Sequence, residues 1–144
     1  MAPDEVFEAW SSGDFDRMLG VLGKKTNPID RHFLLMSIVD IAYKSRHYSE
    51  MAAKCLEIAQ LHLSEFSEIA PAIKRMAGGT MPAVTTFQRY ATLLCERGEF
   101  ERAIKVCETA VMYGLRDGTK AGFAARIDRI RAARAKRKTL RGAS

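Results

Sequence analysis

The sequence lacks the residue patterns on which most metal and redox sites depend. Of its 144 residues, only three are cysteines. Cys55, Cys95 and Cys107 form neither a CxxC pair nor a Cys/His spacing of the kind that binds zinc. An odd number of widely spaced thiols suits a reducing compartment, where each acts as a small apolar side chain. We therefore expect no metal site and no cofactor.

Catalytic signatures are missing as well. His32, His47 and His62 are spaced 15 residues apart, with no HExxH motif and no pair at i,i+4. We expect each of them to be a helix-surface or turn residue rather than a ligand. Gly78-Gly79 is not followed by the Lys-Ser/Thr of a phosphate-binding loop. These absences favour a protein that is not an enzyme.

Long uncharged runs are also missing. The uncharged stretch Ala77–Phe87 is interrupted by glycine and proline, so it does not predict a membrane span. The N-terminus begins with the acidic residues Asp4, Glu5 and Glu8, whereas a signal peptide begins basic and then becomes apolar. Together with the cysteines, these features predict a cytoplasmic protein that does not associate with membranes.

Positive charge is concentrated near the C-terminus. The net charge of the chain is +6, and the segment from Arg126 to Arg141 carries eight Arg or Lys residues against one acid, Asp128. The remaining residues are therefore close to neutral. The sequence pI of about 9.4 consequently describes a basic tail and not a basic domain.

Apolar residues recur with helical spacing, and no run alternates apolar and polar residues as a half-buried strand does. Asp30, Ser49 and Thr119 are expected to cap helices, and Gly114 is expected to end one in the left-handed conformation. The predicted helices are residues 4–10, 15–22, 30–45, 50–66, a short extra helix around Pro71, 84–96, 100–113 and 119–135, with fraying after Ala135.

One segment carries a recognisable repeat pattern. Aromatic, small and aliphatic residues alternate on two helices around a glycine turn in the order Phe87, Tyr90, Ala91, Leu94, Gly98, Phe100, Ala103, Ile104, Cys107, Ala110. This pattern resembles a tetratricopeptide repeat (TPR), a helix–turn–helix unit. The small residues suit a close helix crossing, and the large ones suit the wedge between helices. The proline that often closes the unit is absent.

The resemblance implies an all-α fold of stacked antiparallel helical hairpins, a short and irregular TPR-like α-α superhelix with a C-terminal capping helix. We predict a single domain over residues 1–144. Its parts are a half-matched hairpin at 4–23, a looser repeat at 30–66, an irregular insert at 67–83, the best repeat at 84–114, the capping helix at 119–135 and the basic tail at 136–144.

The resemblance further implies a protein–protein adaptor that binds a peptide or a partner subunit on a concave face. That face is built by the first helix of each pair. The alternative is that the residues on it are simply the solvent-exposed side of amphipathic helices and bind nothing. A homodimer is also plausible for so short an array. The predicted groove residues are Ser37, Asp40, Tyr43, Lys44, Gln88, Arg89, Thr92 and Glu96.

The basic tail suggests a second function. Its cations could bind nucleic acid or an acidic protein, and a simple solvated terminus is the structural alternative. No aromatic residue is interleaved among them, so we expect no base stacking from the tail itself. The alternative function is therefore a nucleic-acid or ribonucleoprotein accessory factor. The predicted tail residues are Arg131, Arg134, Lys136, Arg137, Lys138 and Arg141.

Overall fold

The computed structural model describes residues 4–142, which form seven α-helices and no β-strand. The predicted all-α class is therefore confirmed. The helices are α1 Glu5–Ser12, α2 Phe15–Gly20, α3 Pro28–Lys44, α4 Ser49–Met76, α5 Thr86–Glu96, α6 Phe100–Met112 and α7 Gly122–Gly142.

The single domain over residues 1–144 stays a prediction. Contacts between residues group the chain into two compact units, Met1–Pro82 and Ala83–Ser144. We call them unit 1 and unit 2. In unit 1, α3 packs along α4, and α1 and α2 pack on α3. In unit 2, α6 packs against both α5 and α7.

The start of α3 shows how unit 1 is held together. The helix is capped by Asn27, whose side chain accepts from the amide of Asp30, and Pro28 occupies the first turn. The prediction that Asp30 is the cap was wrong. Its carboxylate instead accepts from the indole Nε1 of Trp10 at 3.0 Å, and the Trp10 ring stacks on Phe33 with centroids 4.8 Å apart. Asp30 therefore ties α1 to α3.

The long helix α4 corrects two further predictions. Residue Tyr48 precedes the helix and no side chain caps it, so Ser49 does not act as predicted. The predicted insert at 67–83 is not separate, because residues 67–76 continue α4 straight through Pro71. The apolar stripe explains this continuity. Phe66, Ile69 and Ile73 are buried, and their burial outweighs the backbone hydrogen bond that a proline removes.

Unit 2 contains the segment that resembles a TPR. The side chains of Phe87, Leu94 and Ala103 are fully buried, and Tyr90 is nearly so, as the pattern predicts. Gly98 turns the chain between α5 and α6 with φ of 78°, a conformation that glycine adopts without strain. The TPR-like superhelix as a whole stays a prediction.

Helix α7 is longer than predicted. Thr119 accepts from the amide of Gly122, but the helix begins at Gly122 and continues to Gly142. Phe123, Ile127 and Ile130 anchor it, as expected. The predicted fraying after Ala135 was wrong, since residues 136–142 of the basic tail are helical. Residues 143–144 of that tail lie outside the described part of the chain.

Candidate functional site

The first set of predicted groove residues lies on α3 in unit 1. Ser37, Asp40 and Tyr43 are half-buried and Lys44 is exposed. The guanidinium of Arg46 lies 3.9 Å from the centroid of the Tyr43 ring, a distance at which a cation and a ring attract each other. Tyr43 is therefore already in contact with a cation of its own unit.

The second set lies on α5 in unit 2. Gln88, Arg89 and Thr92 are half-buried, and Glu96 is exposed. The side-chain amide of Gln88 donates to the carbonyl of Asp117 at 3.2 Å, and Arg126 donates to the Thr92 hydroxyl at 3.2 Å. These two residues brace α5 against α7 and the loop before it. The single concave face that would join both sets stays a prediction.

A shallow cavity of about 220 Å³ lies between α5 and α7. Thr92 and Cys95 line it on one side, and Arg129 and Ile130 line it on the other. Burial raises the pKa of the Cys95 thiol, an effect that the nearby Arg126 partly opposes. The thiol is thus protonated near neutral pH, and a protonated thiol is a poor nucleophile.

The basic tail forms a more distinctive feature. Four of its six predicted cations surround one cavity of about 190 Å³ between the start of α6 and the end of α7. We call this cavity the cationic cleft. It is lined by Gly98, Phe100, Glu101, Arg134, Arg137, Lys138 and Arg141. The other two predicted cations, Arg131 and Lys136, are exposed and do not line it.

The position of these cations follows from the spacing of α7. Its buried residues Phe123, Ile127 and Ile130 are separated by four and three positions, which keeps them on one face of a helix. Arg134 and Arg137 continue the same alternation, and so does Arg141. The stripe that packs α7 against the core therefore changes from apolar to cationic after Ile130. This change is visible in the sequence, but it was not used in the prediction.

Contacts hold two of the arginines in place. Arg134 Nη1 donates to Glu101 Oε1, which joins α7 to the first turn of α6. The guanidinium of Arg137 lies 5.8 Å from the centroid of the Phe100 ring, within the range of a cation–π contact. It also lies directly over Gly98, since a Cβ there would come 2.2 Å from Arg137 Nη1. Gly98 thus leaves space for this guanidinium as well as forming the turn.

Phe100 is the residue that the sequence interpretation misplaced. Its ring was expected to fill the wedge between helices, and no base stacking was expected from the tail itself. The ring is in fact half-exposed and lies at the cleft beside Arg137. The two are 37 positions apart in sequence, so only the packing of α7 on α6 shows that they meet.

The electrostatics of the cleft are those of an anion site. It contains four cations and one carboxylate, Glu101, for a net charge of +3. Neither Arg137 nor Lys138 has a carboxylate partner among the described residues. Guanidinium groups bind carboxylates and phosphates with paired hydrogen bonds. The arrangement can therefore bind a compact anion.

Buried histidines form a second polar cluster, in unit 1. His32 Nδ1 and His62 Nε2 lie 3.0 Å apart, and both side chains are buried. The prediction that these two are surface or turn residues was wrong, whereas His47 is exposed next to a turn as predicted. Within residues 4–142 no three His, Cys, Asp or Glu are placed to share a metal ion.

Comparison of this chain with known proteins identified no related protein. No protein-family model matches the sequence, and no curated protein or solved structure matches it significantly. The likeness to a tetratricopeptide repeat thus depends on the residues of 87–110 alone. Separately, none of the helices in the described part of the chain has both the length and the apolar composition needed to cross a bilayer.

Proposed function

We propose that this protein is a non-catalytic protein-interaction module that binds an acidic segment of a partner protein in the cationic cleft. The observation that carries the proposal is the convergence of four cations on one cavity beside the Phe100 ring. Clusters of arginine recognise acidic and phosphorylated segments in many peptide-binding domains. The TPR resemblance favours a peptide ligand as well, although it implies a different surface.

The cleft is suited to binding because part of its geometry exists before a ligand arrives. Arg137 is held between Gly98 and Phe100, and Arg134 is held by Glu101. Side chains that are already ordered lose less conformational entropy when they bind. At Arg134 and Arg137, an acidic peptide would therefore meet donors that already make contacts within unit 2.

The chain offers a matched pair of variants for the test. Arg137→Ala/Lys138→Ala removes one arginine and one lysine from the cleft. Arg131→Ala/Lys136→Ala removes the same two residue types from exposed positions of α7 outside it. Affinity for a fluorescein-labelled glutamate-rich peptide is measured by fluorescence polarisation at 150 mM NaCl, which limits the contribution of unspecific attraction.

The cleft variant is expected to lower the affinity about ten-fold or more, since two charged contacts are lost. The outer variant is expected to change it about two-fold at most, because its two cations do not line the cavity and act on the peptide only through screened attraction at a distance. Equal losses in both variants would show that only the net charge matters. Absence of peptide binding to the parent protein would reject the proposal.

Nucleic-acid binding is the second candidate function. It is favoured by a specific observation, the exposure of Arg129, Arg131 and Lys136 on α7 outside the cleft. A strand of RNA would contact these cations along the helix, so its affinity would fall steeply between 50 and 200 mM salt. Binding of a single-stranded RNA that both matched variants weaken equally would support this function over the first.

The groove predicted on α3 and α5 stays an alternative peptide surface. Tyr and Arg are enriched among residues that dominate binding energy, so Tyr43→Ala and Arg89→Ala are the variants that test it. If either one weakens the glutamate-rich peptide more than the cleft variant does, the groove and not the cleft is the site. The proposed homodimer is tested separately by sedimentation of the parent protein.

A further inference from the structure

The positive charge in the cationic cleft exceeds what one carboxylate can balance. Arg134 is already paired with Glu101, so an incoming anion meets at least Arg137 and Lys138, with Arg141 lining the same cavity. A carboxylate brings one charge and two oxygens. A phosphate monoester brings about 1.5 to 2 negative charges at pH 7 and three strong acceptor oxygens. The second group matches the cleft more closely in charge and in number of acceptors.

The shape of the cleft also discriminates between phosphate sources. Its volume of about 190 Å³ is small, and the four cations that line it lie within two turns of α7, from Arg134 to Arg141. Nucleic-acid strands present single charges at regular intervals, and their bases are commonly bound by stacking on open aromatic faces. Here the Phe100 ring already lies against the guanidinium of Arg137. The cleft thus favours one doubly charged group at its centre over a strand that passes through it.

We infer that the cationic cleft recognises a phosphorylated side chain of a partner protein in preference to an unmodified acidic one. This inference rests on the proposed function, because it names the ligand of the same cleft. Arg137 and Lys138 supply donors to the phosphate oxygens. Phe100 and Gly98 contact the guanidinium of Arg137 at the edge of the cavity, and a guanidinium can offer two parallel N–H groups to a phosphate.

Glu101 has a distinct role in this arrangement. Its carboxylate occupies Arg134 while the cleft is empty of ligand, and it repels any anion that enters. A phosphate that binds must compete with it for the Arg134 guanidinium. Replacing Glu101 by glutamine removes the competing charge and keeps the size of the side chain. Glu101→Gln is therefore expected to tighten phosphate binding several-fold.

The test compares three peptides that differ at one position. Each has the sequence acetyl-Gly-Gly-Xaa-Gly-Gly-amide, where Xaa is serine, glutamate or phosphoserine. Binding to the full-length ¹⁵N-labelled chain is followed by NMR at pH 7.5 and 150 mM NaCl, with the Gly98 amide signal as reporter. The phosphoserine peptide is expected to shift this signal saturably with a Kd about ten-fold or more below that of the glutamate peptide. The serine peptide should cause no shift.

Variants then separate a recognised phosphate from a general attraction of charge. Arg137→Ala/Lys138→Ala should abolish the preference for phosphoserine, and Arg131→Ala/Lys136→Ala should preserve it. Arg137→Lys keeps the charge but removes the planar fork, so it should lose most of the preference. Circular dichroism checks that each variant folds. If the double cleft variant unfolds, Arg137→Lys and Glu101→Gln still decide the question.

The possible outcomes distinguish the inference from the function beneath it. Equal affinities for the phosphoserine and glutamate peptides, both weakened by the cleft variant, would overturn the inference and leave the proposed function intact. Failure of every acidic peptide to bind would reject both the inference and the proposed function. Tighter binding of a single-stranded RNA than of the phosphopeptide, lost in the cleft variant, would assign the cleft to nucleic acid.

Discussion

At the scale of single residues, the histidine pair of unit 1 has the clearest consequence. A hydrogen bond between His32 Nδ1 and His62 Nε2 at 3.0 Å needs one ring to donate and the other to accept. Burial lowers the pKa of His32 to about 4. The pKa of His62 is lowered well below its usual value by burial, and then by the charge that His32 carries once it is protonated and by the charge of Arg31. Both rings are therefore neutral at physiological pH.

Unit 1 is accordingly expected to lose stability in acid. The unfolded chain binds protons at these histidines near pH 6.5, whereas the folded chain does so only at lower pH. Stability is thus full above about pH 6.5 and falls as the pH drops towards 4, by about 2 kcal/mol at pH 5 from His32 alone. Urea unfolding followed by circular dichroism at pH 7.5 and pH 5 measures this change.

The control for this prediction replaces the exposed histidine. His47→Gln should leave the pH dependence unaltered, because His47 is exposed. The double variant His32→Leu/His62→Leu should flatten it, since no buried imidazole then remains in the pair. A double variant that keeps the full pH dependence of the parent would show that other groups cause the acid sensitivity.

Asp117 is the second residue whose role only the structure shows. The sequence places it in a turn, but its side chain is buried and accepts from Arg126 Nε at 2.8 Å and from the amide of Thr119 at 3.0 Å. Burial by itself would raise the pKa of Asp117, and the hydrogen bonds from Thr119 and Arg126 more than offset this, so that the pKa is lowered. The charged carboxylate is therefore part of the folded structure of unit 2.

Asp117→Asn is expected to destabilise the protein by roughly 1.5–3 kcal/mol, because Arg126 loses its counter-charge while it stays mostly buried. The free energy of unfolding from urea titration at pH 7.5 measures the loss. Arg116→Gln, at the exposed neighbouring position, is the control and should change stability by less than about 0.5 kcal/mol. A value for Asp117→Asn as small as the control's would mean that the ion pair does not stabilise unit 2.

At the scale of helices, the sequence predicted the elements better than their ends. Apolar spacing located α1, α2, α3, α5 and α6 to within a few residues, whereas the predicted end of α4 was ten residues short. The errors arose where a local preference opposed a tertiary contact. A separate short helix was predicted around Pro71, and the observed helix α4 instead continues through it, with Ile69 and Ile73 buried. Repulsion among cations predicted fraying of α7, which the contacts of Arg134 and Arg137 with α6 offset.

The cost of Pro71 inside α4 can be tested as a change in the stability of unit 1. Pro71 is exposed and lies inside the helix, where it cannot donate to a carbonyl in the preceding turn. Pro71→Ala should therefore stabilise unit 1 by about 2 kcal/mol, because a proline inside a helix costs roughly 3 kcal/mol relative to alanine and the greater freedom of the unfolded chain offsets up to about 1 kcal/mol of this. Thermal unfolding by circular dichroism measures the gain. A loss of stability in this variant would indicate that the proline conformation itself is required.

At the scale of the whole molecule, the division into two units was not predictable from the repeat pattern. The pattern predicts one continuous stack, because consecutive TPR-like pairs normally share an interface. The structure groups contacts on either side of Pro82. The sequence did single out this position, since Gly78, Gly79 and Pro82 form the clearest break in the chain. The sequence could not show which helices pack together before and after Pro82, because that packing depends on contacts between residues distant in sequence.

Limited proteolysis checks this division. Residues 77–80 are exposed, and Gly78 and Gly79 have positive φ values of 84° and 108°. Exposed glycine-rich segments outside helices are preferred sites of cleavage. Proteinase K at low concentration should make its first cut between Ala77 and Pro82, as read by intact mass spectrometry. First cuts within α3 or α6 would contradict the assignment of compact units.

The change of α7 from an apolar to a cationic stripe has a further consequence for assembly. In helical repeat proteins, each added hairpin packs against the apolar surface of the preceding one. A terminal hairpin whose apolar surface is exposed can associate with other copies of the chain and form fibres. After Ile130, this face of α7 carries arginine and lysine in place of apolar side chains. Another hairpin that packed against this face would have to desolvate several cations, which costs free energy. The cations at this end of α7 therefore disfavour the packing of a further helix against this face.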